Sequence, residues 1–467
     1  MVHAAIKNSI TFSKLRYLKQ IISLQEITST SSNKPNAPFS KTNISLNGCH
    51  CLLNQRPLSG IKNANKSKVE KCQSYRQYSN ERKRYVLGIE TSCDDTGAAV
   101  VDCSGNIIGE SLNSQTSFHV EMGGIIPVLA RDLHQANIEQ VVKDAILQAN
   151  MSLQDIDAIA ITTEPGLAMS LEVGVQHAKE LGRIYNKPVI PIHHMQAHAL
   201  TVRMIQRLDF PFLVLLASGG HCLLTVAQDI DQFLNLGKHL DDSPGDTFDK
   251  VPRRLKIKNL KECQGLSGGA SIELLAKRGD PNSFNNPSYL SHERNCNFSF
   301  SGMKEHFRHI IMKEEKKQGI EGGNILSNAA DICASLQEGL FNHLSHRIRR
   351  GLLYTELKEL LPSTNRTLVL SGGVASNMYI REKLEEVLES YDCQLICPPP
   401  KLCTDNGIMI AWNGMEKLLR GKDLIHGDEI DNIRYTPKSP IGEYIGQDVV
   451  NADIKVPSNR KKQAAKA

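Results

Sequence analysis

The chain has 467 residues, of which 40% are hydrophobic, so it is long enough for two or three domains with sizeable cores. The net charge of +5 is unevenly spread, since residues 1–84 hold 15 Lys or Arg against three Glu, and the remainder holds 40 Lys or Arg against 47 Asp or Glu. The part after residue 84 is therefore mildly acidic, which excludes a broad basic surface for nucleic acid as its main feature.

The first 84 residues have the composition of a leader. They are rich in Ser, Asn, Lys and Arg, contain no Asp, and include the basic amphipathic stretch SITFSKLRYLKQIISL. This pattern predicts a mitochondrial transit peptide over 1–84; the alternative is a disordered extension without a targeting role. The 12 cysteines lack CxxC pairs and indicate free thiols in a reducing compartment. No run of 18 apolar residues occurs, so we expect no membrane span.

A first structural unit is predicted over 85–208. The segment RYVLGIETSCDDTGAAVVDCSGNIIGES (84–111) contains three apolar runs joined by polar turns, which predicts three antiparallel strands. The following apolar patterns predict, in order, a helix at 131–150, a strand at 157–166, a helix at 170–185 and a strand at 188–192.

A second unit, over 209–436, repeats this organisation. FPFLVLLASGGHCLLTVA (210–227) predicts a strand, a glycine turn and a return strand, and helical material follows over 246–360. TLVLSGGVASNMYIREKLEEVLE (367–389) predicts a strand, a turn and a helix. The repetition predicts a duplicated, two-lobe α/β architecture with a ligand cleft between the lobes, and residues 437–467 are expected to form a tail.

The stretch PIHHMQAHAL (191–200) places His194 and His198 four residues apart. On a helix this spacing puts both imidazoles on one face, where they could share a metal ion; the alternative is a pair of core histidines. The stretch CTDNGIMIAWNG (403–414) places Asp405 at a predicted helix start. Asp405 is then either an N-cap or the carboxylate of a His-His-carboxylate metal site.

Three turns leave predicted strands through small residues: GIETSCDDTG (88–97), LASGGH (216–221) and LSGGVASN (370–377). Backbone N–H groups in such turns can approach phosphate oxygens, so three of them favour a nucleotide-like ligand. In GDTFDKV (245–251), Asp249 could bind a ribose hydroxyl or cap its own backbone. Pro252 follows directly, and because proline is tolerated only in a first helical turn, it predicts that the local helix begins late.

Taken together, these segments resemble the universal family of tRNA threonylcarbamoyladenosine synthases, once labelled O-sialoglycoprotein endopeptidases. The matching segments, in chain order over about 85–435, are GIETSCDDT, GGIIPVLARDLH, EPGLAMSLEVG, HHMQAH, ASGGH, LDDSPGDTFDKV, FSFSGMK, SGGVASN and PPPKLCTDNGIMIA. With the basic leader, the chain is similar to the mitochondrial branch. The resemblance implies the actin-like, sugar-kinase and chaperone-ATPase fold, in agreement with the two lobes.

The resemblance also implies an activity, which is transfer of threonylcarbamoyl from threonylcarbamoyl-AMP to N6 of the adenosine beside the tRNA anticodon. His194, His198 and Asp405 match the family's ligands for one metal ion, iron or zinc, and no other catalytic residue is assigned. The positions that match its contacts to the adenylate are Leu216, Ala217, Ser218, Gly219, Gly220, Asp249, Gly269 and Asn377. The mitochondrial branch implies a homodimer, and a separate synthase that supplies the adenylate.

Three other functions are weighed against this interpretation. A zincin peptidase needs Glu directly after the first histidine as general base, and this chain has Met195 there. A kinase or chaperone-type ATPase shares the fold, but such enzymes present Asp in the first phosphate loop, where this chain has Glu90 to Cys93. A non-catalytic nucleotide-binding subunit would show no turnover. Cys93 is interpreted as a small turn residue, so direct transfer is expected without a covalent intermediate.

Overall fold

A computed structural model describes residues 82–122 and 124–457 of the chain, which is a mixed α/β protein with two β-sheets. Nearly all of the predicted transit peptide lies outside the described residues, as do the last ten residues. Residues from Asn80 onward form one compact unit. No helix in the described part of the chain combines the length and the hydropathy that a bilayer span requires.

The first sheet has five strands in the order β3-β2-β1-β4-β5. Its strands are β1 (Tyr85–Glu90), β2 (Asp95–Asp102), β3 (Ile107–Ser114), β4 (Ala158–Glu164) and β5 (Val189–His193). The first three are antiparallel neighbours, whereas β1 pairs with β4 and β4 with β5 in parallel. The three predicted antiparallel strands and both later strands are therefore confirmed.

The second sheet has six strands in the order β10-β9-β6-β7-β8-β11. Its strands are β6 (Phe212–Ala217), β7 (Cys222–Ala227), β8 (Phe233–Lys238), β9 (Arg366–Ser371), β10 (Cys393–Ile396) and β11 (Glu443–Tyr444). Strands β6 to β10 repeat the order and directions of β1 to β5. This repetition confirms the duplicated, two-lobe α/β architecture.

Helices follow or connect these strands. They are α1 (Thr116–Glu121), α2 (Pro127–Gln148), α3 (Ala168–Tyr185), α4 (His194–Leu200), α5 (Val202–Ile205), α6 (Pro244–Leu255), α7 (Gly268–Ala276), α8 (Ser301–Gln318), α9 (Ala329–Leu357), α10 (Met378–Leu388), α11 (Gly407–Arg420) and α12 (Gly446–Asn451). The helices predicted in both units are present, and the two in the first unit begin a few residues earlier than predicted.

Alternating side chains give the first sheet two buried faces, because successive residues of a strand point to opposite sides. Leu87 and Ile89 pack beneath the helices α2 and α3. Val86 and Ala99 belong to a second cluster on the other face, which α11 covers. The helix α11 follows strands β6 to β10 of the second sheet in the chain, yet it packs against the first sheet.

The second sheet is also buried on both faces. Leu213 and Leu215 pack against the large helical layer formed by α6 to α10. On the other face, Val214 and Leu216 pack against Met195 and other residues of α4. Because Ala197 of the same helix belongs to the core under the first sheet, α4 lies between the two sheets. The predicted histidine pair is thus carried by the helix that joins the two cores.

Two local predictions were wrong. Helix α6 does not begin late: Ser243 caps it, Pro244 is its first residue, and Pro252 lies inside it. Proline removes the helical hydrogen bond to the carbonyl four residues back. That carbonyl, of Phe248, lies against Gly268, whose missing side chain leaves room for it. Part of the predicted tail is also folded, since β11 pairs with β8 at the sheet edge and α12 follows it.

Candidate functional site

The helix α4 begins at the end of β5 and presents two buried imidazoles on one face. His193 occupies the N-cap, and its Nδ1 accepts a hydrogen bond from the backbone N–H of Met195 at 3.2 Å. His194 and His198 are 6% and 2% exposed, and their rings meet edge to face with centroids 4.7 Å apart. The predicted i,i+4 geometry is therefore present, and His193 has the separate, structural role of a cap.

Asp405 reaches the same point from a segment 207 residues later. Its Oδ1 lies 3.0 Å from Nε2 of His198 and 3.5 Å from Nε2 of His194. Asp405 is not the N-cap of α11, because Asn406 occupies that position and its Oδ1 accepts from the backbone N–H of Met409 at 2.9 Å. The capping by Asn406 leaves the carboxylate of Asp405 free to face the histidines.

The three side chains offer a suitable donor set for a metal ion. One ligand atom from each of His194, His198 and Asp405 can be chosen so that all lie within 4.8 Å of one another. Two imidazole nitrogens and one carboxylate oxygen are the donors that zinc and non-haem iron take in proteins. The spacing is also compatible with hydrogen bonds among the three groups, so the geometry fits a metal ion without requiring one.

A buried carboxylate stands behind the first histidine. Oε2 of Glu90, at the end of β1, lies 3.1 Å from Nδ1 of His194 and accepts from Oγ1 of Thr162 at 2.6 Å. Its other oxygen accepts from the backbone N–H of Ser92, whose hydroxyl also lies 3.1 Å from His194 Nδ1. A carboxylate on one imidazole nitrogen orients the other nitrogen toward a metal position.

The electrostatics of this cluster are strongly coupled. Burial alone would raise the pKa of Asp405, but the charge and hydrogen bonds of the two histidines lower it well below its ordinary value. Burial opposes the protonation of His194, yet Asp405 and Glu90 on either side raise its pKa well above its ordinary value. The carboxylates of Asp405 and Glu90 therefore both stay ionised beside His194. Their charges favour a positive charge at this site.

The same negative charges affect the pKa values of two other groups, Cys93 just before β2 and Asp95 at its start. Burial and the neighbouring Asp94 raise the pKa of the Cys93 thiol, so it stays protonated at neutral pH. This agrees with the interpretation of Cys93 as a turn residue rather than a nucleophile. Burial raises the pKa of Asp95 to about 7, with contributions from Asp94, Asp405 and Glu90.

The turn between β6 and β7 belongs to the second unit. His194, His198 and Asp405 are called the metal-type cluster below. Ser218 and His221 close the turn, with the N–H of Ser218 donating to the carbonyl of His221 at 2.8 Å. Gly219 and Gly220 have no heavy atoms within 4 Å of the position of a Cβ, so that side of each residue faces open space. Burial and the charge of His194 lower the pKa of His221 to about 4.

Helices α6 and α7 border this turn. Gly245, in the first turn of α6, packs directly on the backbone of Gly219. The backbone of Gly268, at the start of α7, lies against Oδ1 of Asp249, which is on the exposed side of α6. Gly269 is next in the chain and is half-buried beside the Phe248 ring. The predicted contact residues Asp249 and Gly269 therefore meet where the two helices begin to pack together.

Asn377 lies across from this point, after β9. It caps α10, with Oδ1 accepting from the backbone N–H of Ile380 at 3.0 Å, and its Nδ2 donates to Oε1 of Gln337 at 2.8 Å. Gly372 begins the same turn with φ +93° and packs on the carbonyl of Ala217. The glycine turns of the second unit thus meet at the ends of β6 and β9.

The structure separates the predicted adenylate residues into two groups. Ser218, Gly219 and Gly220 lie in the open turn, whereas Leu216 and Ala217 are inside β6 with both side chains buried in opposite cores. Sequence reasoning missed the roles of Glu90, Ser92, Gln337 and His221. His221 had a local signal as the last residue of ASGGH, and Glu90 and Ser92 had one as members of GIETSCDDT, whereas Gln337 had none. The partners of Glu90 and Gln337 depend on contacts between distant segments.

Comparison with known proteins identifies the same family as the motifs. Residues 106–412 match the family model TsaD, described as tRNA N6-adenosine threonylcarbamoyltransferase. The chain is 52% identical over 374 residues to the mitochondrial tRNA N6-adenosine threonylcarbamoyltransferase of Homo sapiens, covering 80% of this chain and 90% of the human one. It is 40% identical over 341 residues to the tRNA N6-adenosine threonylcarbamoyltransferase of Rhodospirillum rubrum, covering 72% and 90%.

Among solved structures, component A of the (R)-2-hydroxyglutaryl-CoA dehydratase of Acidaminococcus fermentans aligns with 14% identity and a TM-score of 0.41. The alignment covers 72% of this chain and 99% of that chain.

Proposed function

Because the chain belongs to the tRNA N6-adenosine threonylcarbamoyltransferase family, we propose that it transfers threonylcarbamoyl from threonylcarbamoyl-AMP to tRNA. The acceptor is N6 of the adenosine adjacent to the anticodon, in mitochondrial tRNAs that read codons beginning with A. The observation that carries the proposal is the meeting of His194, His198 and Asp405. The open side of Gly219 and Gly220, which suits a phosphate, supports it.

In the reaction, the lone pair of N6 forms a bond to the carbamoyl carbon. The bond between that carbon and the phosphate oxygen breaks, AMP leaves with the electron pair, and N6 loses one proton. Gly219 and Gly220 would bind the phosphate through backbone N–H groups, and Asp249 would contact the ribose. No covalent enzyme intermediate is needed, in line with a protonated Cys93 thiol.

We assign one metal ion, iron or zinc, to His194, His198 and Asp405, on the basis of their donor set and spacing. Such an ion would act as a Lewis acid that polarises a carbonyl oxygen. Glu90 would fix the tautomer of His194 so that Nε2 faces the metal position. Elemental analysis of the purified protein and of His198→Ala tests the assignment, because equal metal content in the two would return these histidines to the core.

The decisive assay combines purified protein, tRNA and threonylcarbamoyl-AMP, with mass spectrometry of the digested nucleosides. Asn377→Ala should raise KM more than it lowers kcat, and part of its effect will be lost helix capping, which a thermal melt measures separately. Asp428→Ala removes an exposed polar side chain from the C-terminal part of the second unit and is the control. Rapid ATP hydrolysis or cleavage of a glycoprotein, without modified adenosine, would favour the ATPase or peptidase alternative instead.

The proposal includes a mitochondrial location, a homodimer and a separate synthase that supplies the adenylate. The composition of residues 1–84 supports import, and relatives of this family carry mitochondrial names. A reporter fused to 1–84 should enter mitochondria, and a diffuse cytosolic signal would refute the import signal. Light scattering on the purified protein tests the dimer. Nucleoside analysis of mitochondrial tRNA, with and without the protein, tests the function in cells.

A further inference from the structure

A cavity of about 540 Å³ lies on the side of α9, away from the residues described above. We call it the arginine pocket. Its wall includes the residues Asn286, Ser288, Tyr289, Asn342, His346 and Arg349. Asn342, His346 and Arg349 follow one another at intervals of four and three on α9, so they share one face of the helix. Most of these side chains carry donor groups, of which the amides of Asn286 and Asn342 already donate to Ser335 and Glu338.

Two buried guanidinium groups stand behind this wall. Arg347 and Arg350 are 0% and 1% exposed. Both donate to backbone carbonyls of the 289–295 segment, including those of Glu293 and Asn295. Among the described residues, neither forms an ion pair with a carboxylate. Carbonyl oxygens stabilise a guanidinium by their dipoles, but they leave its full positive charge uncompensated in the protein interior.

The surrounding charges do not cancel this excess. Arg349 adds a third positive charge on the same helix and donates to Pro457 at 2.6 Å. Arg294, on the neighbouring segment, is paired with Asp453 at 3.3 Å. Burial and the charges of Arg347, Arg350, Arg349 and Arg294 together lower the pKa of His346 to about 4. The local potential is therefore strongly positive within a body whose net charge is negative.

Three polar atoms in or behind the pocket wall are buried without a hydrogen-bond partner in the described structure. They are the hydroxyl oxygen of Tyr289 and Oδ1 of Asn286, which belong to the wall, and Nε of Arg347, which lies outside it. Buried polar atoms are normally satisfied, so these atoms near a polar cavity indicate a missing hydrogen-bond partner. We propose that the arginine pocket binds a phosphate group, carried either by RNA or by free phosphate. Phosphate suits the pocket because its oxygens accept from guanidinium, hydroxyl and amide donors together.

The first test needs no enzymatic activity. NMR titration of His346 in the full-length protein, with and without inorganic phosphate, measures the potential inside the pocket directly. A bound anion favours the charged imidazolium, so phosphate should raise the pKa of His346 by about one unit or more. The distant His177, whose pKa burial also lowers, is the internal control and should not respond. An unchanged His346 at saturating phosphate would overturn the proposal.

Two variants identify the pocket as the binding site. Asn342→Asp adds a negative charge at an exposed position of the pocket wall and should weaken phosphate binding about tenfold, by electrostatic repulsion. Ser288→Ala removes one donor from an exposed segment and should weaken it by a smaller factor. Gln140→Glu makes an equivalent charge change on the exposed face of α2 and should bind as wild type. Equal binding by all four proteins would contradict the assignment.

The source of the phosphate is decided by the transfer assay, and this arm rests on the proposed function. If the pocket takes a phosphate of RNA, Asn342→Asp should raise the KM for tRNA while Gln140→Glu leaves it unchanged. If KM does not change while inorganic phosphate still binds, free phosphate is the ligand. Because the NMR titration is independent of catalysis, an inactive enzyme with a responsive His346 would refute the proposed function and leave the pocket standing.

Discussion

The two sheets share the order of their first five strands, but the turns between their first two strands have different roles. After β1, the turn holds its neighbours with side chains, since Glu90 and Ser92 both reach His194. After β6, the turn has Gly219 and Gly220, whose backbone is open. A duplicated framework has therefore produced one turn that supports a charged side-chain centre and another that leaves room for a ligand. Equivalent positions in a repeated fold need not keep equivalent chemistry.

The largest expected effect comes from removing the carboxylate of Asp405 from the metal-type cluster. Asp405→Ala should lower the transfer rate about a hundredfold or more, on the order of 3 kcal/mol in the activation free energy, because a metal ligand acts mainly in the transition state. Metal content should fall with it. Single-turnover kinetics and elemental analysis measure both, and a variant with wild-type rate would remove the metal from the mechanism.

Glu90→Gln tests whether the turn after β1 raises metal affinity through its contact with His194. The amide keeps the size of the side chain but not its charge, so metal affinity should fall about tenfold to a hundredfold. The fold should persist, as measured by the thermal melt, and Glu90→Asp should recover part of the affinity. A competition titration with a chelator gives the affinity. If Glu90→Gln binds metal as tightly as wild type, the carboxylate is only a packing residue.

A matched pair of glycine substitutions separates stability from ligand access. In β1, a Cβ at Gly88 would lie 2.2 Å from the backbone nitrogen of Ala411. Gly88→Ala should therefore lower the free energy of unfolding by about 1–3 kcal/mol. Gly220→Ala meets nothing within 4 Å and should leave stability unchanged. It should raise KM for the adenylate about tenfold by obstructing its approach. Equal loss of stability in both variants would contradict this difference between the packed backbone of β1 and the open turn after β6.

The smallest effect concerns acid sensitivity in the second unit. Burial and the charge of Arg347 lower the pKa of His343 to about 3, and its Nε2 accepts from the backbone N–H of Ser299. The unfolded chain binds a proton below about pH 6.5, whereas the folded chain does not until about pH 3. Stability should therefore fall as pH falls through this window, by about 2 kcal/mol between pH 6.5 and pH 5.

Urea unfolding of wild type and His343→Gln, at pH 7 and pH 5, measures this contribution. The variant should show a weaker dependence on pH. The same difference should remain after chelation, because His343 belongs to the second unit and not to the metal-type cluster. A pH dependence that disappears with the chelator would assign the acid sensitivity to the metal-type cluster instead.

Local signals predicted much of the fold, because strands and helices depend on residue patterns over short stretches. The hairpins at 84–111 and 210–227 were predicted from apolar runs and turn residues. Strand β8 was not predicted, since its sequence FLNLGK carries only a weak alternation. The i,i+4 spacing predicted one face for His194 and His198. Gln337 left no local pattern, and the motif that contains Glu90 gave no sign of its partner His194, because chain separation does not determine spatial neighbours.

The position of α11 has a consequence for biosynthesis. The helix spans residues 407–420, yet it completes the core of a sheet whose first strand begins at residue 85. One apolar face of that sheet therefore stays uncovered while the more than two hundred residues between β5 and α11 are synthesised. A chain cut short after β9 would carry this face permanently exposed. We expect a chain that ends between β9 and α11 to aggregate more readily than the full-length chain, because this apolar face would stay exposed.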